Sequence, residues 1–393
     1  MTIQKPVRLS DVCRQDRTSV KAGQRAELAY IGLESIESNT GQFNEAGLSK
    51  TPEVPLANSF RFGAEHVLYG KLRPYLNKVA LAEFEGKCST EIIPLLPSPE
   101  LDRRYLAYFL RSPRTVSRIS EKTAGARMPR ADMDFIFSLE LVLPSLKEQR
   151  RIVDLLSRAD SIVRLRRDAQ KKAAELIPAI FLEMFGDPES NPKQLLMRRV
   201  ADFVARFAGG KNIQAGSEDP DGYRILKVSA VTSGRYIEVE SKPAPDNYTL
   251  PTAHLVREGD MLFSRANTVD LVGATAIVEA TDGKTLLPDK LWRFVWAEEV
   301  DVRYMHALFQ LPGIRRELGK LATGTSDSMR NISQAKLFAL QLPIASLEQQ
   351  RAFSRLSEFA RSIQSQQSAP TDKAQATFDS LLATHFRFAK DDK

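Results

Sequence analysis

The chain has 393 residues, 42% of them apolar and 27% charged, an ordinary globular composition that excludes a disordered or membrane-embedded protein. That length exceeds what one core usually supports, so more than one domain is expected. A net charge of +7 and a pI near 9.3 suit a polyanionic partner, while two cysteines, Cys13 and Cys88, are too few for a disulfide framework or a four-ligand zinc site and read as ordinary thiols.

The opening MTIQKPVRLSDV has no hydrophobic signal core, which predicts a cytoplasmic protein without a membrane span. Further on, Ala29–Leu33 and Glu65–Tyr69 read as strands around an Asn39-Thr40-Gly41 turn. Val79–Leu81 follows as a strand leading to Glu85-Gly86-Lys87, read as a tight turn with Gly supplying positive φ. Leu101–Leu106 reads as the first turn of a short helix with Asp102 at its positive end. After LPSLKEQRR, Leu143 to Arg151, the apolar period becomes helical: Ile152, Leu155, Leu156, Ala159, Ile162, Val163, Ala169, Ala173, Leu176, Ile177, Ile180 and Met184 form one stripe. Roughly 38 residues at 1.5 Å each give about 57 Å of helix. Pro178 is expected to kink it, and Gly186-Asp187-Pro188 to end it.

The same order then recurs. Tyr223–Val228 and Asp260–Phe263 are strands, with Ser233-Gly234 as the matching turn. Ala276–Val278 leads to Asp282-Gly283-Lys284, Val300–Met305 opens a helix, and LPIASLEQQRA, Leu342 to Ala352, precedes a second helical stripe of Phe353, Leu356, Ala360, Ile363, Ala374, Phe378 and Leu381. A polar stretch from Gln364 to Thr371, with Pro370, predicts a break in this second helix. Landmarks repeated in order predict a duplicated architecture: α/β (α+β) heads at 1–145 and 187–345, with spacer helices at 146–186 and 346–393 packed as an antiparallel coiled coil.

The chain at this point resembles a type I restriction-modification specificity subunit. The resemblance rests on VLYGKLRPYLNKVALA (Val67 to Ala82), MLFSRANTVDLVGATAIV (Met261 to Val278), LPSLKEQRRIV and LEMFGDP (Leu182 to Pro188), and it covers nearly the whole chain. The second half departs from the pattern at Arg387, where the first has Gly186, and around Pro370. The resemblance implies two target recognition domains on double-stranded DNA, spacer helices, and docking of two methyltransferase subunits and of restriction-translocase subunits. It also implies that S-adenosylmethionine, ATP and magnesium belong to those partners, with no cofactor in this chain.

The residues point away from catalysis. An adenine methyltransferase needs an Asn/Asp-Pro-Pro-aromatic loop and a glycine-rich cofactor strand, and an ATPase needs a Walker lysine loop; the sequence has none of these. Glu85-Gly86-Lys87 and Asp282-Gly283-Lys284 fit a metal-nuclease pattern only loosely and are explained as hairpin turns. His66, His254, His306 and His385 are scattered and read as structural. Base readout instead needs Arg, Lys, Asn, Ser or Thr on ordered loops. Lys71 and Arg73 answer Arg265, Asn267 and Thr268 just past matching strands. A second set, Lys122, Arg127 and Arg130, answers Thr325, Ser328, Arg330 and Asn331 after Gly125 and Gly324. A bipartite, asymmetric DNA site is therefore expected, against two other readings, a stand-alone DNA-binding protein and a nuclease acting alone.

Overall fold

The computed structural model describes residues 6–22, 27–44, 58–124, 128–217, 222–245, 251–326 and 329–386. Contacts divide the chain into two units, 1–169 with 367–393 and 170–366. Each unit therefore contains a head, the near part of the long helix that follows that head, and the far part of the other long helix.

In the first unit, Pro6–Arg8 pairs antiparallel with Glu140–Val142, which brings the start of the head back to its end. A four-stranded antiparallel sheet runs Cys13–Gln15, Ile92–Pro97, Val67–Gly70, Val79–Leu81. A second sheet runs Ser19–Val20, Ser59–Phe62, Gly86–Ser89, Ala29–Ile31, its last pair parallel. Gly86 thus begins a strand and is no turn glycine. It carries no left-handed φ, and a Cβ there would lie 2.5 Å from the Phe62 ring and 2.9 Å from the Ala29 carbonyl. Close strand approach, rather than a turn, requires the glycine. The Asn39-Thr40-Gly41 turn is present, with Asn39 at φ 65 and Gly41 at φ 73.

The second unit repeats the plan. Leu196–Arg199 pairs with Gln341–Ile344. Val204–Gly209, Leu291–Trp296, Met261–Ser264 and Thr275–Ile277 form the four-stranded sheet. Ser241–Pro243, Arg224–Leu226 and Thr285–Leu286 form a smaller one, again with a parallel pair. Gly283 does adopt φ 74, so Asp282-Gly283-Lys284 is the expected turn and the two triplets are not equivalent.

The LP…EQ word acquires a structural reason. Asp102 caps Arg103–Arg111, accepting from the Arg104 and Tyr105 amides, and its own amide donates to Gln149 Oε1 at 2.8 Å. Gln149, 0% exposed, donates through Nε2 to the Glu100 and Pro144 carbonyls, both at 2.8 Å. In the second unit Asp301 caps Val302–Gln310, its amide donates to Gln350 Oε1 at 2.9 Å, and Gln350 Nε2 donates to the Ala345 carbonyl at 2.9 Å. A glutamine supplies both an acceptor and a donor to buried backbone groups that would otherwise lose hydrogen bonds, which sets each long helix against its head.

The long helices are Leu146–Phe185 and Leu347–His385. The first passes Pro178 and ends at Gly186, whose φ of 76 permits the left-handed terminus; Arg387, its counterpart, lies outside the described residues. The second is continuous through Pro370, contrary to the expected break. Proline removes one helical hydrogen bond, and local packing holds the segment: Thr371 Oγ1 donates to the Gln367 carbonyl at 2.6 Å, and Gln364 Nε2 reaches the Ala173 carbonyl at 2.8 Å.

Inside each unit the helix segments run antiparallel. In the first, His385 feels Glu148 and Arg151 while Arg167 bonds Gln375 at 2.8 Å. In the second, Phe181 meets Phe353 at 5.4 Å between centroids. The far end of one helix covers the head helix of the other repeat: Phe386 packs edge-on to Tyr105 at 5.0 Å, and Phe185 to Tyr304 at 5.2 Å. Burying each such ring contributes ~1.5–3 kcal/mol. Part of the expected stripe faces outward instead, since Leu155 and Ile162 are 44% and 53% exposed and Leu356 is 53% exposed. Val153, Asp160 and Ser357 are buried in their place.

Candidate nucleic-acid interface

In the first unit the fully buried strand Val67–Gly70 delivers Lys71, Leu72 and Arg73 to the surface. The Lys71 amide donates to the Glu91 carbonyl at 2.9 Å and its carbonyl accepts from the Ala131 amide at 2.8 Å. Leu72 bridges Arg130, and the Arg73 amide donates to Pro129 at 2.7 Å. Two basic clusters far apart in sequence become one surface. Thr123–Ala124 pairs with Arg130–Ala131, placing Lys122 at its margin, and Arg127 lies outside the described residues. Arg73 is exposed in a left-handed conformation, φ 52 and ψ 65, immediately before Pro74. A non-glycine residue holds that conformation only where its surroundings enforce it.

In the second unit the corresponding hydrogen bonds recur around Arg265. Its amide donates to the Lys290 carbonyl at 3.1 Å, and its carbonyl accepts from the Ile332 amide at 2.9 Å. Ala266 and Asn267 pair with Asn331 and Arg330, and Met329–Asn331 pairs with Thr323–Ser326, which includes the Thr325 backbone. Ser328 lies outside the described residues. Here too the sequence's two clusters meet.

The side chains around these matched backbones differ. Glu91 receives a forked bond from Arg130, with Nε at 3.2 and 3.1 Å and Nη2 at 2.9 Å, and stands 4.0 Å from Lys71 Nζ. Both first-unit cations are therefore steered by one carboxylate. Arg265 donates from Nε to the Asp289 carbonyl at 2.7 Å, stands 3.7 Å from its carboxylate and lies over the Trp292 ring at 5.5 Å. Asn267 Oδ1 accepts from the Thr268 amide at 2.9 Å, so both residues begin the turn toward Leu271. Sequence reasoning missed Glu91 and Asp289, whose relevance depends on pairings the sequence does not display. It also missed exposed Tyr75, Met128 and Met329 at 53%, 48% and 41%, apolar groups able to contact a thymine methyl or a base face.

Other chemistry resolves into structure. Glu85 pairs with Arg61 at 2.6 Å, Lys87 is 1% exposed, and Asp282 pairs with Arg224. Burial pushes both thiols up to about 12. His66 accepts the Gly63 amide at 3.0 Å and faces Asp16 at 3.3 Å, and His306 lies 3.2 Å from the Thr275 carbonyl. Burial and the cations Lys211 and Arg293 lower His254. Among the described residues no group of three or more His, Cys, Asp or Glu could hold a metal, and no helix is long and apolar enough to cross a membrane.

A family model for the type I restriction modification DNA specificity domain matches residues 5–176. Over those residues the chain is similar to the type I restriction-modification specificity family. It is similar to the EcoKI specificity subunit of Escherichia coli K12, 22% identical over 390 residues, which are 92% of this chain and 82% of that protein. The EcoEI specificity subunit of Escherichia coli is 28% identical over 143 residues, 35% of this chain, and the MjaVIII subunit of Methanocaldococcus jannaschii 23% over 268 residues, 64% of this chain. The chain spans only 24% and 62% of the length of those two relatives. In fold it is similar to a chain from a structural study of complex assembly and conformational transition of the type I R-M system, with a TM-score of 0.53 and 19% identity, covering 98% of this chain and 97% of that one. The S subunit from M. genitalium gives a TM-score of 0.53 at 13% identity, with the same coverages. Both solved structures thus share the fold of this chain.

Proposed function

We propose that this chain is the DNA sequence-specificity subunit of a type I restriction-modification complex, reading a bipartite asymmetric site with one head per half-site. The observation that carries the proposal is the pair of matched reading surfaces: the same backbone hydrogen bonds at Lys71 and Arg265, surrounded by different side chains. Equivalent readers would demand a palindrome, and unlike readers demand unlike half-sites. The reading residues belong to 1–145 and 187–345, with the helices as spacers. Phosphate and base contacts need no metal or nucleotide, so S-adenosylmethionine, ATP and magnesium fall to the methyltransferase and restriction subunits, and the complex acts in the cytoplasm. Leu155 and Leu356, six residues past Gln149 and Gln350, are both exposed, offering one apolar patch twice, as two methyltransferase subunits require.

Methylome sequencing of a host expressing this chain with its methyltransferase tests the reading. A two-part motif with an unread gap is expected, and exchanging residues 1–145 for those of a relative changes one half only. A continuous or palindromic motif, or an exchange that alters both halves, overturns it.

A further inference from the structure

A cleft of about 220 Å3 in the second unit is lined by Lys211, Lys227, Lys242 and Lys290 with Asp289. It adjoins the reading surface directly, because the Lys290 carbonyl holds the Arg265 amide at 3.1 Å. The cleft's one acid, Asp289, is engaged by Arg265 at 3.7 Å. Lys242 Nζ is anchored on the Ile213 carbonyl at 2.5 Å, and Lys211 and Lys227 are exposed. Four lysines lining one hollow make a site for an oxyanion.

Among the described residues, the first unit has no lysine at the backbone positions that match Lys227 and Lys290. Glu91 occupies the place of Lys290, its carbonyl accepting the Lys71 amide as that of Lys290 accepts Arg265. Gly32, which precedes the short helix Leu33–Ser35, occupies the place of Lys227, which precedes Val228–Val231. Glu91 also draws Lys71 and Arg130 toward itself. The repeat therefore holds a cation-rich pocket in one head and a carboxylate-clamped surface in the other.

We infer that the Lys211, Lys227, Lys242 and Lys290 cleft is a backbone phosphodiester site through which the second head grips DNA without regard to sequence. This rests on the DNA-recognition reading proposed above. Lysine ammonium groups are point charges suited to phosphate oxygens, and neutralised phosphates release counterions, which makes affinity salt-dependent with a slope near 0.9 per contact. The two heads then divide the work, with salt dependence concentrated in the second.

The test is binding of the full chain to two unrelated duplexes over a salt series, with unfolding midpoints recorded for every variant. The double variant Lys227→Gln with Lys290→Gln is expected to lower the slope of log Kd against log salt by about 1–2 on both duplexes alike. Glu91→Gln is expected to raise the slope by releasing Lys71 and Arg130. An unchanged slope in a stably folded double variant overturns the inference, and so does a loss confined to one duplex, which marks base readout. A cleft that binds inorganic phosphate while duplex binding ignores the substitutions is a small-anion site, which also overturns it. A wild-type chain that binds no duplex brings down the recognition proposal itself, an outcome distinct from retained binding with an unaltered slope.

Discussion

The two head-helix junctions share one clamp and differ in the charge beside it. Both use an Asp cap and a buried Gln, Asp102 with Gln149 and Asp301 with Gln350. Nine residues past each cap, the first unit has Arg111 and the second Gln310; eleven past each glutamine, the first has Asp160 and the second Arg361. Arg111, 8% exposed, meets Asp160 at 3.6 Å, lies over Tyr108 at 5.5 Å and reaches the Asn39 carbonyl at 3.4 Å. Gln310 instead donates to the Thr275 carbonyl at 2.9 Å, and Arg361 turns to Glu279 at 3.1 Å. Where backbone geometry must be met the residue is the same. Where only charge balance must be met, both partners change together, because a buried guanidinium without its carboxylate is costly and a neutral amide needs none.

The largest expected effect that sharpens this contrast comes from Arg111→Leu, which strands Asp160 and should destabilise the first unit by about 3–5 kcal/mol. Gln310→Leu leaves no charge behind and should cost about 1–2 kcal/mol; equal losses in denaturant titrations would erase the distinction between the junctions. Gln149→Leu deprives the Asp102 amide and the Glu100 and Pro144 carbonyls of partners and should cost about 2–4 kcal/mol. Gln350→Leu should follow closely, and a neutral result at either site would remove the clamp from the account.

Acid should separate the units next. Burial brings His306 down to about 4 from an ordinary 6.5, whereas the first unit has Ala107 at the same place. The unfolded chain therefore binds more protons at this site, so its contribution is present above pH 6.5 and declines as pH falls toward 4, by about 2.5 kcal/mol between pH 7 and 4.5. Hydrogen exchange should show the second unit opening first on acidification, and His306→Asn should reduce that lability. The last effect concerns binding and leaves folding stability unchanged. Arg73→Ala should relax one position of the first half-site at ~1–3 kcal/mol, read from the methylated motif. A uniform loss across sequences would reassign Arg73 to phosphate.

The duplication, the order of elements and the presence of the long helices were legible because they depend on periodicity and repeated words, which survive in a linear reading, whereas the buried face of each helix was read only in part, with Leu155, Ile162 and Leu356 exposed. The second helix was misjudged at Pro370 because local propensity predicts a break, while contacts such as Gln364 with Ala173 come from far along the chain and outweigh one missing hydrogen bond. Gly86 was misassigned for a related reason: whether a glycine serves a turn or a close strand approach depends on Phe62 and Ala29, which only folding brings near. The candidate loops follow from the strand ends, and the described members of the two clusters lie on one surface in each unit. Their electrostatics were not legible, because Glu91 and Lys290 become equivalent only through backbone hydrogen bonds to Lys71 and Arg265. Composition and pattern alone determined a basic, duplicated, two-headed protein with long helices. Tertiary structure alone decided which cations are clamped and which line an open cleft, since charge pairing is set by distance in space and the chain encodes only distance along itself.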